Sequence, residues 1–172
     1  MKALIVLIAV LASAASLPLF SQTIPPMLPA ACGKSQVGMV VKLVKIQQAA
    51  AQPEPGKALV YFIEDSGHGG GGNTTKIGMD GNWVGANKRN SYFSISAAPG
   101  EHHLCAAIEP SDAWSYVELA HFTAEPGKVY FYRTRIFVTR DGVEYFSLAP
   151  LDSDAAAYAV SIYPMASARP KK

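Results

Sequence analysis

The stretch PGEHHLCAAIE, residues 99–109, sets two histidines and a cysteine within four positions. Imidazole and thiolate are the side chains of metal centres and of nucleophilic catalysis, so the question is whether this spacing lets them act together. The residues around them read as a β-strand, in which successive side chains point to opposite faces. His102, Leu104, Ala106 and Ile108 then share one face, and Leu104 and Ile108 mark it as the core side. Glu101, His103, Cys105 and Ala107 share the other. Neighbouring histidines on a regular strand cannot ligate one ion, so a metal site would need His103 with Cys105 and further donors from elsewhere. The other histidines are His68, in a glycine-rich loop, and His121, in a separate strand-like stretch. No H-E-x-x-H or C-x-x-C spacing occurs. The expectation is therefore no metal and no cofactor, with His102 packed at a strand start and Cys105 as half of a disulfide.

The remaining chemistry is thinner. EDSGHGGGG, at 64–72, shares a few letters with a serine-protease nucleophile segment. Such a serine needs a base and an orienting acid delivered by the fold, and no matching motif precedes it, so no catalytic residue is assigned. Its glycines lead through Asn73, Thr74 and Thr75 to Lys76 and a strand, which excludes a phosphate loop. Asp80 and Asp141 precede glycines in turns, Asp152 and Asp154 read as helix caps, and no facing carboxylate pair is legible. Aromatic side chains are what is left. Trp83, Tyr92, Trp114 and Tyr116 sit near turns or on the polar face of an alternation, and are the candidate binding aromatics for a sugar or peptide. Tyr61, Phe62, Phe93, Tyr130, Phe131, Tyr132, Phe137, Tyr145 and Phe146 lie inside strands and read mostly as core.

The elements that must hold these residues are short strands. Residues 37–46, VGMVVKLVKI, are β-branched and partly alternating. KALVYFIE, at 57–64, is nearly apolar throughout, as a strand buried on both faces would be. Asp80-Gly81 is a hairpin-turn dipeptide that pairs 75–79 with 82–86. NSYFSIS alternates, Pro99-Gly100 turns the chain into the histidine stretch, and SYVELAHFTA closes at Pro126-Gly127. Two further strands flank Asp141-Gly142. The sum is an all-β fold, a single antiparallel β-sandwich of roughly eight short strands. Residues 152–163 have room for one short C-terminal helix, capped by Asp152 or Ser153, with a final strand at 158–163 as the competing assignment.

The chain has 172 residues and a formal net charge of +2, too balanced to leave an electrostatic footprint for nucleic acid. One positive charge, a short apolar run and small residues open the sequence in the order of an export signal. The expected division is a signal peptide at 1–22, a Pro-rich lead-in with one strand at 23–52, the β-sandwich at 53–151, and a C-terminal extension with a solvated basic tail at 152–172. No transmembrane anchor is expected once the signal is removed, which places the protein in the periplasm or outside the cell. Two cysteines in an exported chain favour a Cys32–Cys105 disulfide. Two free buried thiols, or a lipid on Cys32, are the competing readings. Pro29 and the distance from the apolar run weigh against the lipid.

PEPGKALVYFIED, GMDGNWVGAN, NSYFSISAAPGEHHLCA and TAEPGKVYFYRTR occur in that order. Together they resemble the domain-of-unknown-function family 2846, exported bacterial β-domains marked by a DG…VG hairpin, an SYF strand and PG.H. The layout is also similar to small surface β-sandwiches of the PEGA kind. The resemblance covers about residues 53–151 and implies a β-domain of the bacterial envelope. It carries no catalytic residues, since the family has no established activity. The function expected from all this is a non-enzymatic envelope or secreted interaction module, with an envelope protein or glycan as partner. A carbohydrate- or peptide-binding domain using exposed aromatics is the alternative. A small metalloprotein or hydrolase is a second alternative, and would need His103, His121 or His68 to converge with a carboxylate.

Overall fold

The computed structural model describes residues 29–34, 37–45, 51–66, 73–109, 117–142 and 144–172. The stretch expected to be a signal peptide, the glycine-rich loop with His68, and Trp114 and Tyr116 lie outside the described residues. The described chain forms, in order, β1 (Met39–Val44), β2 (Ala58–Glu64), β3 (Thr74–Met79), β4 (Asn82–Lys88), β5 (Ser91–Ala97), β6 (Gly100–Glu109), β7 (Val117–Ala124), β8 (Val129–Val138), β9 (Glu144–Pro150), α1 (Ser153–Ile162) and β10 (Met165–Pro170).

Two sheets result. One has six strands in the order β1-β10-β5-β2-β8-β9, and the other four in the order β4-β3-β6-β7. The main core lies between them, built from inward residues such as Val60, Phe62, Phe93, Leu104, Ile108, Phe122, Tyr132 and Ile136. The all-β sandwich with one short helix is thus the observed fold. The expectation of a purely antiparallel sheet needs correction, because β2 pairs with β8 in parallel from Leu59 to Glu64 and β10 meets β5 in parallel at Met165 and Tyr92. The chain leaves β2, builds β3 and β4 in the opposite sheet, returns as β5, and only later lays down β8. Such a long crossover is what a parallel neighbour requires.

Every residue of β2 is buried, and the reason is visible on both sides. Val60 and Phe62 face the other sheet, while Leu59, Tyr61 and Ile63 face outward and are covered by Ala156 and Ala159 of α1. The helix starts where the sequence places it. The Asp152 carboxylate accepts from the backbone N–H groups of Asp154 and Ala155, at 2.9 and 3.2 Å. The basic tail, whose side chains from Arg169 to Lys172 are exposed, begins within a paired strand. Residues 165–170 form β10, which pairs with β1 from Met39↔Pro170 to Val44↔Met165 and slots between β1 and β5.

Gly85 of β4 lies close against the core residue Phe93. A Cβ there would stand 2.4 Å from a ring carbon of Phe93. Gly85→Ala is accordingly expected to lower the unfolding free energy by roughly 1–3 kcal/mol, the usual cost of overpacking a core. A urea titration checks this, and a midpoint equal to wild type would show that Phe93 has room to move.

Candidate functional site

The two cysteines meet. Cys32 is bonded to Cys105 with their Cα atoms 5.1 Å apart. Cys105 lies on the outer face of the four-stranded sheet, as the alternation along β6 requires, and residues 29–34 lie over it as a strap. Gly78 of β3 makes room for that strap, because a Cβ there would come within 2.9 Å of the Ala31 carbonyl oxygen. The strap is further held by the Gly81 N–H donating to Ala31 O at 3.1 Å.

His102 and Asp80 form a second fixed point, where the β3–β4 turn docks on the start of β6. His102 Nδ1 is 2.6 Å from Asp80 Oδ2 and its Nε2 is 2.7 Å from the Ala98 carbonyl oxygen. The other Asp80 oxygen accepts the His103 backbone N–H at 2.9 Å. Both ring contacts of His102 are to acceptors, which the imidazolium satisfies fully. Partial burial works against that charge, but the Ala98 carbonyl and the Asp80 carboxylate outweigh it and raise the His102 pKa. Partial burial likewise pushes Asp80 up, and the bonds from His102 and the His103 N–H overcome it and hold Asp80 below the usual carboxylate range. With both ring nitrogens engaged, this pair holds a turn and leaves no free nitrogen to serve as a base.

Of the aromatics nominated by sequence, Trp83 lies at a surface depression of about 280 Å³ shared with Gly33, Val37, Met39 and Pro170. Its indole N–H donates to Lys34 O at 2.7 Å, and Lys76 Nζ sits 4.5 Å above the ring. Trp83 is therefore pinned, with only part of its surface open. Tyr92 is a correction. Its ring is 4% exposed, packed with Tyr61 beneath α1, and cannot meet a ligand. It does lie on the outer face of its strand, but α1, which begins only at Ser153, covers that face.

Comparison with protein-family models, with curated proteins and with solved structures finds no match. The resemblance to the domain-of-unknown-function family rests on the order of its motifs.

Among the described residues a stacked pair of exposed aromatics lies elsewhere, apart from the singly exposed Tyr158 of α1. Phe137 of β8 and Tyr145 of β9 are register partners, stacked with ring centres 5.3 Å apart and planes at 13°. They are 42% and 48% exposed, although both read as core by their place in strands. They lie on the outer face of the six-stranded sheet, beyond the part covered by α1. Arg133 and Arg135 precede Phe137 on the same face, and neither makes an ion pair among the described residues. The signal was available: Arg133, Arg135 and Phe137 occupy i, i+2 and i+4, so the arginines mark Phe137 as outward-facing.

Two of the three candidate histidines come together. His103 of β6 and His121 of β7 are directly opposed, with ring centres 6.4 Å apart. Cys105 cannot join His103 as a ligand, because its sulfur is in the disulfide. Among the described residues no group of three or more His, Cys, Asp or Glu side chains stands close enough together, as placed, to hold a metal ion, so any site built on His103 and His121 needs its side chains to rearrange.

Proposed function

We propose that this chain is an exported, non-enzymatic interaction module of the bacterial envelope or its surroundings. The observation that carries the reading is the stacked Phe137–Tyr145 pair, left open beyond the part of the sheet that α1 covers, beside Arg133 and Arg135, which make no ion pair among the described residues. Large aromatics that are neither core nor covered are what binding surfaces use, since they offer contact area at low conformational cost. The export-like opening of the sequence and the disulfide support an oxidising compartment. Among the described residues no helix is long and apolar enough to cross a membrane.

The test is a comparison of immobilised wild type with the Phe137→Ala/Tyr145→Ala double variant against envelope extract, with captured proteins and polysaccharides measured separately. A protein retained by wild type and lost by the variant is the expected result. A polysaccharide lost in the same way would move the assignment to the carbohydrate-binding alternative. Identical capture by both chains would overturn the role of this face.

A further inference from the structure

We propose that His103 and His121 form a surface site for a divalent transition-metal ion of the Zn²⁺ or Ni²⁺ class, with Glu101 as its carboxylate ligand. The site is on the opposite sheet from Phe137 and Tyr145, and does not depend on the role given to that pair. Its frame is rigid. β6 and β7 pair without interruption from Gly100↔Ala124 to Ala107↔Val117, and His103↔His121 falls inside that ladder. The His103 backbone is fixed again by the bond from its N–H to Asp80.

On this frame the two imidazoles stand as cross-strand neighbours on a face that both expose to solvent. Their ring centres are 6.4 Å apart. Two metal–nitrogen bonds of about 2.0–2.1 Å bring ring centres to about 5–6 Å, so a closure of roughly one ångström is needed. Exposed side chains rotate freely enough to supply it. Glu101 lies two residues before His103 on the same face, with its Oε1 3.7 Å from His103 Nε2. Two imidazoles and a carboxylate, with water in the fourth position, is a donor set that suits zinc, and imidazole also suits nickel. The hard cations Ca²⁺ and Mg²⁺ prefer oxygen ligands, and are excluded by the same reasoning.

The experiment is isothermal titration of the purified protein with ZnCl₂, repeated with NiCl₂. Wild type is expected to bind one ion saturably. His103→Gln and His121→Gln are each expected to weaken binding by more than about tenfold, because even loss of an outer-shell partner costs that much. Both residues are exposed, so the urea midpoints of the variants without metal should match wild type, which separates loss of a ligand from loss of the fold. Absence of saturable binding in wild type, or a His103→Gln/His121→Gln double variant that binds like wild type, would overturn the site.

Discussion

Glu64→Gln is expected to stabilise the protein by about 3 kcal/mol at pH 8 and to change its stability little at pH 4. Glu64 is the last residue of β2 and follows Val60 and Phe62 on the inward face of the sheet. It is 2% exposed. Its register neighbours are Ser91 of β5 and Thr134 of β8, both also buried. The Ser66 hydroxyl donates to one carboxylate oxygen and in turn accepts from the Ile136 N–H at 2.9 Å. The second carboxylate oxygen, Thr134 Oγ1 and Asn87 Oδ1 have no partner among the described residues. Burial is the largest influence and pushes the Glu64 carboxyl up to about 7, against the opposing pull of Ser66, with Asp65 adding to the rise. Asn90 and Arg89 offset only part of this.

The sign follows from linkage. The folded protein holds the Glu64 proton more tightly than the unfolded chain, whose ordinary value is 4.5. The contribution of Glu64 to stability is therefore most favourable below pH 4.5, falls between 4.5 and about 7, and carries the full penalty above that. Glutamine keeps the shape of the protonated acid and never ionises. Its amide also brings a donor to a neighbourhood of orphan acceptors. Urea unfolding of both proteins at pH 4, 6 and 8 checks the prediction. Parallel curves across that range would show that Glu64 stays ionised in the folded state.

The parts of this molecule that were legible in its sequence are those decided by near neighbours. Leu104 and Ile108 identified the core face of β6. Asp80 and Gly81 both take positive φ in the hairpin turn, as does Gly127 in the turn after β7. Asp152 identified the start of α1. The Asp80-Gly81 hairpin and the Pro99-Gly100 turn into β6 are each legible in the sequence, but as separate motifs. In the structure they are one device, because Asp80 of the first binds His102 of the second across 22 residues. What sequence reading missed is consistently non-local. Tyr92 is covered by a helix from the far end of the chain. β10 lacks an apolar alternation and ends at Pro170, so its strand character comes from its ladder with β1. Proline is tolerated there because it sits at the strand's end. Glu64 reads as the polar end of a strand, and only closure of the two sheets over it makes it a buried acid. The His103–His121 pair depends on the register between two strands, which no single-strand pattern encodes.

Replacing both cysteines by alanine is expected to cost about 4 kcal/mol, the second large effect. The bridge spans a sequence separation of 73, and closing a loop of that length in the unfolded chain accounts for about 4 kcal/mol in the chain-entropy treatment. The folded state gives a further reason for the bond to matter. The strap at 29–34 contributes little apolar surface of its own to the main core, and among the described residues it is anchored by the bond from Gly81 to Ala31, the bond from Trp83 to Lys34 and the disulfide. Without the disulfide, the strap can lift from Gly78 and expose the side chain at 105, which is otherwise buried although it faces away from the core. Urea unfolding of the Cys32→Ala/Cys105→Ala variant measures the total cost, and the oxidised wild type titrated for thiols after unfolding without reductant tests the bond itself. No reactive thiol is expected there, and two would disprove the bridge. The same comparison separates the two contributions. A loss that appears in the unfolding midpoint with an unchanged dependence on urea is loop closure alone. A loss accompanied by a smaller dependence on urea shows that the strap has already left the sheet in the folded variant, since less surface then remains to be exposed on unfolding.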